Sequence, residues 1–328
     1  MFKTIAKFSL AALLIWWLLT SGKLDLSLVK KLIQDSNNWI YAAGIFFFQV
    51  SLSGIRWRLI LKTRSENIIP IRKIISLTWI GQFFNTFLPG AVTGDLIKLV
   101  YARDLDTKLP KTFLIMSVLI DRVLGLVGLI FLTGLFTLIN YDTMLAISPK
   151  MKALMPFNAI LFAGSVVFLT SLLLPRKPRD LILFFCNKVP FIGTKLHQVF
   201  EQVWSIGKNK KTIFSAISLS LILQYMNVWI FWLVCSPFLE NPIPVDQFFT
   251  FVPIGFITVS VPISPAGLGV GHLIFDELFK LVNVAGGASL FNLYFVITVS
   301  CNLLGVFPYL FNKKHTLSEA SEFEEAES

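Results

Sequence analysis

Cysteine and histidine are scarce in this chain, and neither forms a pattern. Cys186, Cys235 and Cys301 are far apart, odd in number and without a CxxC pair, which excludes a disulfide framework and a thiolate metal motif. His197, His272 and His315 are equally scattered, so no metal site is expected. No nucleophile–base pair and no nucleotide-binding loop stands out, so no catalytic residue and no cofactor is assigned. Charge is scarce as well. Only 15% of residues are Asp, Glu, Lys or Arg, where soluble domains carry about 25%. That shortage excludes a sizeable soluble domain. The net charge of +10 does not point to nucleic acid, because the Lys and Arg flank long apolar runs, where membrane topology and anionic headgroups explain them.

Apolar residues make up 55% of the chain, in runs long enough to cross a bilayer. The first runs from about Ile5 to Thr20. No small-x-small pattern follows it at Leu18–Gly22, so it is expected to be an uncleaved span. Leu24 to Asp35 suggests a short surface helix. Further spans are expected at about Trp39–Leu61, Thr112–Ile139, Phe157–Leu174, Ile213–Cys235 and Leu290–Phe311. Two other apolar segments are broken. Ile74 to Arg103 is interrupted by Asn85, Pro89, Gly90, Gly94 and Asp95. Phe248 to Leu281 is interrupted by Pro253, Pro262, Pro265, Gly267, Gly269 and Gly271. Within a membrane, unpaired backbone is tolerated only inside protein or beside a watery cavity, so both read as re-entrant hairpins.

Positive charge fixes an orientation. With both termini in the cytoplasm and both hairpins returning to their starting side, most Lys and Arg fall inside. They include Lys3 and Lys7, the Arg56–Lys73 cluster, Lys98–Lys111, the Arg176–Lys211 loop and Lys313-Lys314. The aromatic and basic Arg176–Lys211 loop suits helices on the anionic cytoplasmic surface, with partner docking as the second reading. Internal similarity supports the same plan. Trp39 corresponds to Ile213, Ser76 to Phe248, Pro89 to Pro265 and Thr112 to a span starting near Gly286, each about 174 residues on. The expected architecture is thus an all-α integral membrane protein of about six transmembrane helices plus two re-entrant hairpins in an inverted repeat. Residues 1–311 form a single polytopic domain, with repeats at about 38–140 and 212–311, and residues 312–328 form an acidic cytoplasmic tail.

The stretch from Asn85 through Pro89, Gly90, Gly94 and Asp95 to Lys98 carries the most chemistry. A helix renewed after a glycine-containing break presents backbone N–H groups that favour anions. Thr93 and Asp95 acting as plain helix caps is the alternative. Asp121 and Arg122 lie about ten residues into an apolar span, where ionisable groups are costly and point to function. Arg122 is expected to face the interior and bind either Asp95 or a lipid phosphate, a structural bridge to Asp95 being the other reading. The tip Ser264, Pro265, Gly267 and Gly269 with His272 is the matching segment of the second half. There His272 reads first as an ordinary hydrogen-bond partner.

These three motifs, in this order and spacing, resemble the membrane domain of the lysylphosphatidylglycerol synthase/flippase family, over roughly Trp39 to Leu310. The resemblance implies a stand-alone membrane domain that moves lipids between leaflets of the cell (inner) membrane. The Lys-Lys-His stretch and acidic tail after Phe311 give no expectation of an aminoacyltransferase domain. The chain departs from the usual pattern at His272, where a glutamate is common, at Ala266 in place of glycine, and at Lys98, often arginine. Asn85, Pro89, Gly90, Gly94, Asp95, Lys98, Asp121, Arg122, Ser264, Pro265, Gly267, Gly269 and His272 are therefore the candidate substrate-binding residues. The expected partners are membrane lipids with anionic headgroups and, as candidates, enzymes of envelope-lipid biosynthesis, with no nucleic acid. The alternative functions are a subunit or enzyme of phospholipid or polyprenyl-linked glycolipid synthesis, or a scaffold for it.

Overall fold

A computed structural model describes residues 27–87, 93–148, 150–172, 210–260 and 269–311, with 184, 193 and 204 in addition. Among the described residues there is helix and no strand. The chain is an all-α, multi-pass membrane protein. Helices α1 (Ser27–Asp35), α2 (Asn38–Leu61), α3 (Ile71–Phe87), α4 (Thr93–Ala102) and α5 (Lys111–Ile139) come first. They are followed by α6 (Tyr141–Ile147), α7 (Met151–Ser171), α8 (Lys210–Cys235), α9 (Val245–Ser260), α10 (Val270–Leu281), α11 (Gly287–Asn302) and α12 (Val306–Phe311).

Among the described residues, five helical stretches are apolar and long enough to cross a bilayer: Asn38–Leu61, Lys111–Ile139, Met151–Ser171, Lys210–Phe238 and Gly287–Phe311. Each falls at an expected span. The expected first span at Ile5–Thr20 and the acidic tail lie outside the described residues, as does most of the Arg176–Lys211 loop. Where that loop is described, Trp204 is buried against Ile60, Ile120 and Leu124, so at this point it docks into the bundle. Helix α7 starts earlier than Phe157 and runs through Pro156, a proline close enough to the helix start to cost only one bond near a frayed end. The last span is not one continuous helix. A 3-10 turn at Leu303–Gly305 separates α11 from α12, because Pro308 cannot donate to the carbonyl four residues back. The short α1 is docked rather than loose: Leu32 is fully buried, with Leu28 and Val29 packed on the core.

Both broken segments fold back on themselves. Helices α4 and α10 hold 10 and 12 residues, about 15 and 18 Å at 1.5 Å per residue, against about 30 Å of hydrocarbon. In the first hairpin the arms run antiparallel, since Asn85 Oδ1 accepts from Gly94 N at 3.0 Å and Gly81 packs on Lys98. In the second, Phe275 lies against Phe256 and Phe279 against Phe251, with ring centroids 5.6 and 5.4 Å apart. The tips, 88–92 and 261–268, lie outside the described residues.

Helices α2 and α8 form the centre and run antiparallel. Asn38 Nδ2 donates to Leu233 O and Gln49 Nε2 to Leu223 O, both at 2.9 Å. Around this pair the packing reads alike from either end. Helix α3 packs on α2 and on the α11–α12 span, while α9 packs on α8 and on α5. Several polar groups within the bundle find partners across helices, which hydrocarbon favours. Asn158 Nδ2 donates to Thr137 Oγ1 and Thr250 O, both at 2.8 Å, and Tyr294 OH to Asn227 Oδ1 at 2.9 Å.

Candidate functional site

Five ionisable side chains meet between α2, α4 and α5. The local sequence explains how. Asp95 stands in the first turn of α4, where a carboxylate is favoured by the helix dipole, and Lys98 follows at i+3 on the same face. Lys98 Nζ reaches Asp95 Oδ1 at 2.9 Å. From α5, Arg122 donates through Nε at 2.9 Å and Nη2 at 2.6 Å to the other oxygen, Asp95 Oδ2. Asp95 is therefore shared by two cations, one on each oxygen.

Asp121 precedes Arg122 by one residue, and neighbours on a helix point about 100° apart. It takes a different partner. Arg56 of α2 grips it with a fork, Nε to Oδ1 at 2.8 Å and Nη2 to Oδ2 at 3.0 Å, while its Nη1 donates to Ser220 Oγ of α8 at 2.8 Å. This buried contact joins the central antiparallel pair to α5. Such bidentate geometry is the strong form of an Arg–carboxylate pair.

Lys98 is also fixed from its other side. Its Nζ lies 4.4 Å from the Trp57 ring centroid, a cation–π contact that is worth about 2 kcal/mol where water is excluded. The Trp57 indole is itself anchored by donating to Ser117 Oγ at 3.0 Å. The Lys98 stem runs over Gly81, where a methyl group would approach its Cδ to 3.3 Å. Gly94 is tighter still. A methyl group there would lie 2.5 Å from the Asn85 backbone nitrogen and would also overlap the Gly81 carbonyl, so the arms of the hairpin close only over glycine. Exposure then grades the cluster. Arg56, Lys98, Asp95 and Asp121 side chains are 12% exposed or less, whereas Arg122 is 36% exposed. Arg122 is the most exposed charge of the cluster.

Of the residues singled out in the sequence, Asn85, Gly94, Asp95, Lys98 and Arg122 come together, and Asp121 lies beside them through Arg56. His272 and Gly269 belong to the other hairpin. There Gly269 N donates to His272 Nδ1 at 3.4 Å, and the imidazole stands edge-on to Phe291. Their described contacts do not reach the charged cluster. Pro89, Gly90, Ser264, Pro265 and Gly267 lie outside the described residues, and so does the Thr93 side chain. Sequence reasoning missed Arg56, Trp57, Ser117 and Ser220. Arg56 was read as a cytoplasmic charge, yet Arg58 two residues on bonds Ile69 O, and residues two apart point to opposite faces of a helix. With Arg58 turned to the loop, Arg56 had to face the bundle.

No curated protein and no solved structure matches the chain. The model of the family described as the lysylphosphatidylglycerol synthase TM region matches residues 4–305, which takes in the first apolar run as well as both hairpins. On this nearly complete match, the chain belongs to the lysylphosphatidylglycerol synthase TM region family.

Proposed function

We propose that the protein translocates a lipid with an anionic or phosphorylated headgroup between the leaflets of the cell (inner) membrane. The observation that carries this reading is the Asp95–Lys98–Arg122 cluster, which begins in the first turn after the tip of a hairpin too short to cross the membrane, with Arg122 accessible. Ionisable groups at such depth mark substrate paths, and guanidinium forks onto phosphate as it does onto carboxylate. The family membership ties the chain to lipid-related membrane processes.

In this account the two halves, about 38–140 and 212–311, are an inverted repeat related near the Gln49–Leu223 contact. Those two residues are themselves 174 apart in the chain, the spacing that relates the halves in sequence. Both termini lie in the cytoplasm, anionic lipids are the substrates, and envelope-lipid enzymes are partners that supply or consume them. Transport proceeds by gated access from each side, without covalent catalysis.

The test is reconstitution in liposomes, following headgroup accessibility for anionic, aminoacylated and polyprenyl-phosphate lipids. Wild type should move one of these classes, and Asp95→Asn and Arg122→Ala at equal abundance should not. Folded protein that moves none of them would replace transport by a role as subunit or scaffold of lipid-synthesising enzymes.

A further inference from the structure

The two carboxylates of the cluster differ in how they are held. Both oxygens of Asp121 are taken by the Arg56 fork, deep in the bundle. Withdrawing Arg56 would strand a buried charge. Asp95 is different, because Lys98 holds Oδ1 and Arg122 holds Oδ2. Lys98 is fixed by Trp57 and buried, so it stays in place. Arg122 is the exposed member and can leave Asp95 without leaving that carboxylate unneutralised.

We propose that Asp95 is an internal stand-in for the ligand's phosphate, and that an arriving phosphate displaces it from Arg122. This rests on the translocation reading and adds to it how the headgroup is taken up and let go. In the resting state Arg122 is occupied by a carboxylate, which keeps the guanidinium paired within hydrocarbon. A phosphate offers two oxygens to the guanidinium fork, where Asp95 offers Arg122 the single Oδ2. When the phosphate arrives, Arg122 turns to it while Lys98 keeps Asp95 paired. Return of Arg122 to Asp95 expels the phosphate, so the carboxylate weakens binding in order to permit release. No bond is made or broken.

The experiment is calorimetric titration of the purified full-length protein in detergent. The probes are dihexanoyl-phosphatidylglycerol below its micelle concentration and, separately, inorganic phosphate. Asp95→Asn removes the competitor and should bind the lipid about tenfold tighter than wild type, a change of one decade in Kd. Lys98→Met leaves Asp95 dependent on Arg122 and should bind more weakly than wild type. Arg122→Gln should lose binding, and adding Asp95→Asn to it should restore none. A gain of affinity cannot come from misfolded protein, so the Asp95→Asn result stands apart from stability. Equal gain with inorganic phosphate extends the exchange to the phosphate anion at large, whereas gain with the lipid alone confines it to headgroups. Asp95→Asn binding the lipid no tighter than wild type, or gaining only for inorganic phosphate, overturns the exchange. Translocation by the same wild-type preparation in liposomes is scored separately. If it persists while the gain is absent, the exchange alone falls. If neither translocation nor binding is seen in any variant, both readings fall.

Discussion

The two hairpins occupy similar places in the packing and are built from opposite chemistries. Trp57 and Phe231 stand at the same sequence interval as Gln49 and Leu223. Under Trp57 lies the Lys98 ammonium, tied to Asp95 and through it to Arg122. Among the described residues, five other aromatic rings stand around Phe231. Phe275 and Tyr294 have centroids at 5.0 and 5.1 Å, Phe256 at 5.6 Å, and Phe279 and Phe248 at 6.1 and 6.2 Å. Phe275 even fills the space that a side chain on Gly255 would need. The difference is one of adaptability. A close-packed aromatic cluster has one arrangement, and small changes in volume are felt throughout. In the ionic cluster Asp95 is held by two cations, so Arg122 can change partners while Lys98 keeps that carboxylate paired. On the proposed function, the second hairpin is framework and the first is where a charged ligand is handled.

That contrast can be broken by substitution. The largest effects belong to the groups that cannot re-partner. Arg56→Ala strands Asp121 in the bundle and should cost about 3–5 kcal/mol in reversible unfolding from detergent. Phe231→Ala opens a cavity in the aromatic cluster and should cost a similar 3–5 kcal/mol. Transport per folded molecule should survive Phe231→Ala. Equal loss of transport in both would erase the distinction between the halves.

Gly94→Ala comes next. Its methyl group must push Asn85 and Gly81 apart, at about 1–3 kcal/mol for an overpacked contact. Cysteine cross-linking between Gly81 and Lys98 positions should fall with it. An unchanged cross-link would mean that the hairpin arms have slack.

The smallest effect lies outside the spans. Asp106, in the loop between α4 and α5, accepts from the Ser65 hydroxyl at 2.7 Å, which holds its carboxyl below the usual range. A depressed carboxylate stabilises the fold above its unfolded pKa of about 3.9, and that contribution is lost as pH falls through the folded value. Ser65→Ala should therefore lower the melting temperature slightly at pH 7, and the difference from wild type should vanish in acid. A difference that grew on acidification would reverse the assignment.

How much of this was legible in the sequence follows from what each signal depends on. Spans read well, because a run such as that from Thr112 to Ile139 needs only length and hydropathy. The hairpins read through their breaks, since Pro and Gly carry backbone consequences that neighbours do not alter. The contact of Arg122 with Asp95 was one of two partners open at that stage. Arg56 was not legible as a site residue, because its meaning depends on which face of α2 meets α5 and α8. Trp57, Ser117 and Ser220 are ordinary residues in an apolar chain until tertiary packing aligns them. Helix ends shifted by a few residues wherever a proline was tolerated inside a helix, as at Pro156.

The most direct test of the division between the halves sets two variants side by side in liposomes, Arg122→Ala and Phe231→Leu, with lipid translocation measured per folded molecule. The account predicts that Arg122→Ala stops the movement of the phosphate-bearing lipid, with Asp95 still paired by Lys98 and the fold intact. Phe231→Leu should leave the rate per folded molecule within about twofold of wild type, because it removes apolar volume and no charge, a loss felt in stability. Transport at the wild-type rate in Arg122→Ala, or its loss in Phe231→Leu alone, would contradict the assignment of headgroup handling to the charged hairpin.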